Sequence, residues 1–412
     1  MFAWFKELTG QEKKALIAAY GGWTVDAFDF MIYSFVIPTL IAAWGMSKGE
    51  AGMIATSALL LSAVGGWTAG ALADRFGRVR VLQITIGWFA FFTFLSGFTN
   101  SFEQLLITRS LQGLGFGGEW AVGSVMVGEI IRAQHRGKAV GTVQSGWAVG
   151  WGGAAVAFTL VFTWLPEDLA WRALFWLGLL PALLIFYVRK HVQEPRVFHA
   201  TRERKKTAQS GSFLEIFSPA LLRTTLLAAL MATGMQGGYY AITTWLPTYL
   251  KTERGLSILN TGGYLAVVII GSLIGYLFAA YLVDRIGRRS TFFLFAISSA
   301  CIAAAYTLMP ISNAAMLVLG FPLGFFVSGN FSGVGAFFTE LFPSRVRGSG
   351  QGFCYNFGRG VGALFPALVG FLSKQMGLGV AIGTFAVTAF LVVVLAVALL
   401  PETRGKELAA YD

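Results

Sequence analysis

An all-α integral membrane protein, with twelve transmembrane helices in two pseudo-symmetric six-helix bundles, is the fold this sequence predicts. Three observations predict it. Of 412 residues, 56% are hydrophobic and only 12% are charged, and mean hydropathy is +0.66; soluble domains carry about 25% charged residues. Apolar stretches near the length needed for a bilayer core of about 30 Å recur along the chain, where a large soluble helical protein would show amphipathic stripes. Finally, one short polar turn occurs twice.

The first copy of that turn reads Gly70-Ala-Leu-Ala-Asp74-Arg75-Phe-Gly77-Arg78-Val-Arg80 and the second Ala280-Tyr-Leu-Val-Asp284-Arg285-Ile-Gly287-Arg288-Arg289, with the two Asp residues 210 positions apart. Glu129 and Arg136-Gly137 recur as Glu340 and Arg347-Gly348, 211 apart. A chain built twice over, with the same turn between membrane helices in each half, reads as a two-bundle transporter.

In chain order the predicted spans are 15–42, 50–72, 79–99, 102–127, 138–163 and 170–189 in the first half, and 223–246, 258–283, 290–309, 312–338, 348–372 and 377–400 in the second. Residues 1–189 therefore form one bundle and 223–412 the other. Segment 190–222 is polar and basic and links them, with a short surface helix expected near Phe213–Phe217. Glycine is frequent, with runs such as Gly113, Gly115, Gly117, Gly118 and Gly358, Gly360, Gly362 that let membrane helices approach closely. The first apolar stretch is too long for a signal peptide and reads as a retained helix. Cys301 and Cys354 lie in apolar segments and imply no disulfide framework.

The net charge of +11 is placed asymmetrically. With both termini on one side, 24 of the 31 Lys and Arg residues fall on that side and five opposite (Lys48, Arg172, Lys251, Arg254, Lys374), with Arg109 and Arg359 inside spans. By the positive-inside rule both termini are cytoplasmic, in a plasma (bacterial inner) membrane. The basic balance thus follows topology and gives no reason to invoke nucleic acid.

These residues resemble the major facilitator superfamily over essentially the whole chain. The Gly70–Arg80 turn matches the signature between that family's second and third helices. Arg109-Ser-Leu-Gln112-Gly113-Leu-Gly115 resembles its fourth-helix signature, and Glu194-Pro195-Arg196 and Pro401-Glu402-Thr403-Arg404-Gly405 resemble the signatures that close each half. The resemblance implies gating of the inner face by Asp74, Arg75, Gly77, Arg78, Asp284, Arg285, Arg288, Glu129, Arg136, Glu340 and Arg347; a role in topology alone is the other reading. Drug antiporters carry a Pro after the last spaced glycine of the fifth helix. Here Gly137, Gly146 and Gly150 are followed by Trp151, which weakens an exporter reading. Gly22-Trp23-Thr24-Val-Asp26-Ala-Phe28-Asp29-Phe30, Gly117-Gly118-Glu119-Trp120 and Tyr355-Asn356-Phe357-Gly358-Arg359 look like the sialate:proton symporter group, which includes lactate, pyruvate and sialic acid carriers. The 190–222 linker leaves no room for the two extra helices common in the sialic acid branch. The seventh span also lacks the His and Asp of the yeast-type lactate permeases. A monomer is the default for this resemblance.

Ionisable groups inside membrane helices are costly and are functional candidates by default. Asp26 and Asp29 stand three residues apart on one helix face, Arg109 and Glu119 lie in the fourth span, and Arg359 lies in the eleventh. At about 1.5 Å per residue, Asp29 and Arg109 reach similar depth, Arg359 falls near the midplane, and Glu119 is deeper towards the cytoplasm, near Gln144. His135, His191 and His199 all fall in cytoplasmic segments, so carboxylates would have to carry any proton. The candidate proton carriers are Asp26 and Asp29, with Glu119 as the second candidate. Arg359 would anchor a substrate carboxylate, with Arg109 either helping or pairing Asp29. Gln112, Gln144, Gln236, Tyr239, Tyr240, Asn330, Tyr355 and Asn356 are candidate lining groups. Each has an equally good reading as an interhelical hydrogen bond or charge pair, and Trp147, Trp151 and Trp245 either shape the pocket or pack.

The expectation is uptake of a small organic anion, a monocarboxylate such as lactate or pyruvate, or sialic acid, in symport with protons by alternating access. A proton-coupled exporter of drugs or metabolites and a facilitative sugar carrier stay open as alternatives. No enzyme is expected: there is no Walker-type loop, no metal-ligand cluster and no nucleophile triad. The Gly113–Gly118 run lies in a membrane span without a preceding strand. No cofactor or metal is expected; the partners are the anion, the proton and the lipid bilayer.

Overall fold

The computed structural model describes residues 3–131, 133–180, 183, 213–343 and 346–404, and every regular element among these residues is a helix. A short α1 (Ala3–Glu7) precedes α2 (Gly10–Trp44), α3 (Lys48–Phe76), α4 (Arg78–Ser96), α5 (Phe102–Ile130), α6 (Ala133–Trp164) and α7 (Glu167–Leu177). The second half comprises α8 (Leu222–Thr252), α9 (Ile258–Ile286), α10 (Arg288–Leu308), α11 (Asn313–Gly329), α12 (Val334–Leu341), α13 (Arg347–Gly362), α14 (Leu364–Met376) and α15 (Leu378–Leu399).

Local chemistry sets the helix ends. Thr9 Oγ1 accepts from the Glu12 backbone N–H while Glu12 Oε2 accepts from Thr9 N–H at 2.7 Å, a reciprocal cap that starts α2. Ser47 and Glu50 repeat it at α3. The duplicated turn is duplicated in backbone too. Gly77 (φ 106, ψ 151) and Gly287 (φ 101, ψ 162) each form the single residue between two helices, in a conformation that side-chain-bearing residues rarely adopt.

Among the described residues, eight helical segments are long and apolar enough to cross a membrane, with Asn313–Leu341 (α11 and α12) counted as one. The helix α8 is 31 residues long but falls short in hydropathy, because Gln236, Tyr239, Tyr240, Thr243 and Thr244 interrupt its apolar run. Predicted span 6 is described as helix only at Glu167–Leu177.

Two predicted spans are each two helices rather than one. The 312–338 span breaks between α11 and α12, where Phe331 N bonds to Ser328 O and Ser332 N to Gly329 O in tight turns of a Gly/Ser-rich stretch. The 348–372 span breaks at Ala363, because Pro366 has no N–H to return to the carbonyl four residues back.

Within the first bundle α3 packs on α5, α2 on α6 and α4 on α5; within the second α9 packs on α11, α8 on α13 and α15, and α10 on α15. Three seams join the bundles: α2 with α8, α3 with α13 and α14, and α6 with α9. Of the linker, the described part is a 3-10 helix, Phe213–Phe217, whose rings lie edge-on to Phe353 of α13 at 6.1 and 5.0 Å. Residues 190–212 lie outside the described residues. The end of the molecule carrying Arg75, Arg285, Arg288 and Arg404 is termed the basic end.

Candidate functional site

A small cavity lies at the meeting of the seams. It is lined by Trp23 of α2, Gln144 and Trp147 of α6, Tyr239 and Tyr240 of α8, Tyr276 of α9, Phe331 of the α11–α12 break, and Tyr355 and Arg359 of α13. Its free volume is about 20 Å³, room for about one water. Trp147 Nε1 donates to the Tyr239 hydroxyl across the bundles. Phe30 packs against Trp147 at 5.9 Å and Tyr240 at 5.8 Å, closing the aromatic wall.

Arg359 is the cation of this cavity. It is 1% exposed, with its guanidinium 5.4 Å from the Phe116 ring centroid and 5.1 Å from that of Tyr355. Its Nε and Nη1 have no hydrogen-bond partner. Small residues hold it there: a side chain at Gly358 would collide with Ala232, so α13 seats directly on α8. Gln236 Nε2 adds a bond to the Tyr355 carbonyl at 2.8 Å. A buried guanidinium with free donors against aromatic faces can receive a carboxylate in bidentate fashion.

A buried carboxyl pair lies on α2 and α5. Asp26 and Glu119 are 0% and 1% exposed, and their carboxyl groups are in side-chain contact. Neither Asp26 oxygen has a hydrogen-bond partner. Glu119 lies over Gly22, where any Cβ would collide with Oε1. Two neighbouring carboxyl groups can bond to each other only when at least one carries a proton, which makes the pair a candidate proton site. Trp23 and Phe116, stacked at 6.3 Å and 8°, stand three residues before Asp26 and Glu119; Trp23 lines the cavity and Phe116 lies against the Arg359 guanidinium.

Asp29 is in a different setting. Its Oδ2 accepts from Thr93 Oγ1 at 2.6 Å, and Arg109 Nη2 reaches its backbone carbonyl at 3.5 Å rather than its carboxylate. Arg109 itself lies over Tyr33 and Phe175 at 5.8 and 5.6 Å, away from the cavity. Both side-chain polar atoms of Gln112, on the same face of α5, are buried without a partner. The structure thus groups Asp26 with Glu119, and Asp29 with Thr93 and Arg109.

Of the predicted lining groups, Gln144, Tyr239, Tyr240, Tyr355 and Arg359 meet in the cavity. Asn330 points elsewhere: its amide donates to Ser299 Oγ and Phe326 O at 3.1 and 3.0 Å, holding the α11–α12 break. Asn356 faces Gly66 of α3 and donates to Gly352 O. Trp245 packs, donating to Pro366 O at 2.9 Å, whereas Trp147 lines the cavity. Phe116, Tyr276 and Phe331 are not legible as lining groups in the sequence, and Trp23 enters there only within the Gly22–Phe30 resemblance, although Trp23 and Phe116 each precede a buried acid by three residues, a usable signal.

At the basic end, Arg288 binds Glu340 with two bonds of 3.0 and 2.9 Å and Asp284 at 3.0 Å. Glu402 accepts from the backbone N–H groups of Arg288 and Arg289, capping the start of α10. Burial pushes the Glu402 carboxyl up, but backbone N–H bonds from Arg404, Arg288, Arg289 and Thr403 outweigh it and hold the group below its usual range. Arg347 donates to Thr339 O rather than to Glu340, and Arg285 lies beside Tyr281. Arg75 lies over the ring of Phe76 at 5.3 Å. The side chains of Asp74, Arg78, Glu129 and Arg136 lie outside the described residues.

Residues 20–315 and 265–410 match the Major Facilitator Superfamily. The chain is 44% identical over 408 residues to a probable 4-methylmuconolactone transporter of Cupriavidus pinatubonensis, covering 98% of this chain and 94% of that protein. It is 31% identical over 376 residues to a cis,cis-muconate transport protein of Acinetobacter baylyi, covering 89% of each. A sialic acid transporter of Escherichia coli is 29% identical over 393 residues, covering 95% of each. Among solved structures, the xylose transporter of E. coli in its inward open conformation superposes with a TM-score of 0.74 at 18% identity, over 95% of this chain and 97% of that one.

Proposed function

We propose the following function for this chain, which belongs to the Major Facilitator Superfamily of transporters and is embedded in the membrane by multiple spans: it takes up a small organic acid anion together with a proton, by alternating access between residues 1–189 and residues 223–412. Both termini lie in the cytoplasm, in accord with the charge asymmetry.

The observation that carries this reading is Arg359, a buried guanidinium with unfilled Nε and Nη1 donors inside an aromatic enclosure. Flat, unsaturated acids suit such walls, since ring faces stack on conjugated systems while the guanidinium takes the carboxylate. The names of the relatives, a methylmuconolactone and a muconate carrier, agree with that chemistry. Lactate and pyruvate offer little surface to the rings, and sialic acid would need more hydroxyl partners than this lining supplies.

Coupling follows from proximity. Asp26 is in contact with Glu119 and within electrostatic reach of Arg359. A carboxylate arriving at Arg359 competes for its charge and alters how firmly the Asp26–Glu119 pair holds a proton. Asp29, with Thr93, is a secondary station. Arg288, Glu340, Asp284 and Glu402 latch the basic end between turnovers.

The test is uptake by purified protein in liposomes under an inward proton gradient, with cis,cis-muconate, a muconolactone, nicotinate, lactate, pyruvate and sialic acid offered in turn. Gradient-driven accumulation of the flat acids, lost in Arg359→Ala, is the expected result. Equal uptake of all six, or none with a correctly inserted protein, overturns the reading.

A further inference from the structure

A second pocket of about 680 Å³ opens at the basic end, between α6 of the first bundle and α9 of the second. Of its lining, only Asp284 enters the function above, through its bond to Arg288. Leu277, Ala280 and Gly141 form an apolar floor, where the helices touch so closely that a Cβ at Gly141 would stand 3.0 Å from Ala280. The rim is cationic: Lys138 on α6 and Arg285 on α9. The one rim acid, Asp284, is bonded to Arg288 at 3.0 Å. Trp4 of α1 folds over one side, and Tyr281 stands beside Arg285.

Its lining distinguishes this pocket from an ordinary surface cleft. Lys138 lies five residues into α6 (Ala133–Trp164), and Arg285 is the penultimate residue of α9 (Ile258–Ile286). Two cations near the facing ends of α6 and α9, flanked by Trp and Tyr beside apolar Leu277 and Ala280, suit a phosphate headgroup with hydrocarbon next to it. The crevice around Arg223 and Arg289 at the same end differs, because the Arg289 guanidinium already donates to Val397 and Ala398 carbonyls.

We propose that this crevice is a binding site for an anionic phospholipid, whose phosphate lies between Lys138 and Arg285 and whose acyl chain runs along Leu277 and Ala280. The lipid would bridge the two bundles at a seam that has to rearrange during transport, so its occupancy favours the closed arrangement of α6 on α9. The inference does not depend on which acid is carried.

Native mass spectrometry of the purified full-length protein, titrated with dioleoylphosphatidylglycerol or dioleoylphosphatidylcholine, tests it. The expected result is selective retention of one phosphatidylglycerol, weakened about tenfold by Lys138→Gln with Arg285→Gln. Lys138→Arg with Arg285→Lys should preserve it. Lys138→Gln alone, at an exposed position whose side chain makes no hydrogen bond among the described residues, should weaken binding severalfold without disturbing the fold. Unchanged phosphatidylglycerol retention in the Gln variants overturns the proposal. So does an equal loss in Arg223→Gln, which would mean general surface attraction, or displacement by millimolar inorganic phosphate, which would mean a soluble-anion site.

Discussion

The first bundle carries its buried acids on unbroken helices, Asp26 on the 35-residue α2 and Glu119 on the 29-residue α5. The second bundle carries its buried cation, Arg359, four residues before a helix break at Ala363, and its other break, between α11 and α12, places Phe331 in the cavity wall. A continuous helix holds two carboxyl groups at fixed separation, which a shared proton requires. A broken one lets a binding group shift as the cavity opens, because a chain without an uninterrupted hydrogen-bond ladder bends at little cost. Under the proposed function, proton storage and substrate capture make opposite demands on rigidity, and the two roles fall to different halves.

The strongest way to break that comparison is Arg359→Ala. Losing a charged bidentate partner should lower uptake about a hundredfold, measured as initial rate in proteoliposomes, with Arg359→Lys recovering part of it. Uptake by the alanine variant within a few-fold of the native rate would take the second bundle out of substrate capture. Next in size is Asp26→Asn: gradient-driven accumulation should collapse to simple equilibration while exchange of labelled for unlabelled substrate continues. Glu119→Gln should do the same, and the double variant no worse, because the two acids act as one site; additive losses would separate them.

A smaller effect is expected of Gly22→Ala, whose methyl must displace Glu119. Overpacking of that kind costs about 1–3 kcal/mol, read as a lowered melting temperature in detergent and an altered pH profile of uptake. Full stability with an unaltered profile would show the pair to be less confined than its geometry implies. The smallest concerns Glu402. Its carboxyl is held below its usual range, so its stabilising contribution is present above about pH 4.3, the ordinary carboxylate value, and is lost as pH falls through its lower folded value. Because the side chain is largely solvent-exposed, Glu402→Gln should cost under about 1 kcal/mol at neutral pH. The melting difference between native and variant protein should vanish in acid; a difference that persists there would assign the effect to packing.

Much of this architecture was legible in the chain. The 210-residue offset between Asp74 and Asp284 is mirrored in the near-identical backbone of Gly77 and Gly287. The intramembrane charges were few enough to single out Asp26, Glu119 and Arg359. The helix breaks were not legible: Pro366 acts on a carbonyl one turn earlier, and the Gly/Ser stretch before α12 fits either a mobile helix or a gap. Asn330 sits at the α11–α12 break, where residue spacing no longer sets the phase of a face, while Asn356 follows Tyr355 by one residue on α13 and so faces away from the side that Tyr355 and Arg359 share. The separation of Asp29 from Asp26 was equally hidden, since Thr93 and Arg109 reach it from other helices.

The bond from Trp147 to Tyr239 has an optical consequence. It joins an indole of one bundle to a phenol of the other, so the cavity cannot widen along that line without releasing the indole N–H and altering the polarity around its ring. Trp147 is therefore a built-in fluorophore for gating. In a variant stripped of the other tryptophans, its emission would follow each opening in real time, without an attached dye and before any substrate has crossed.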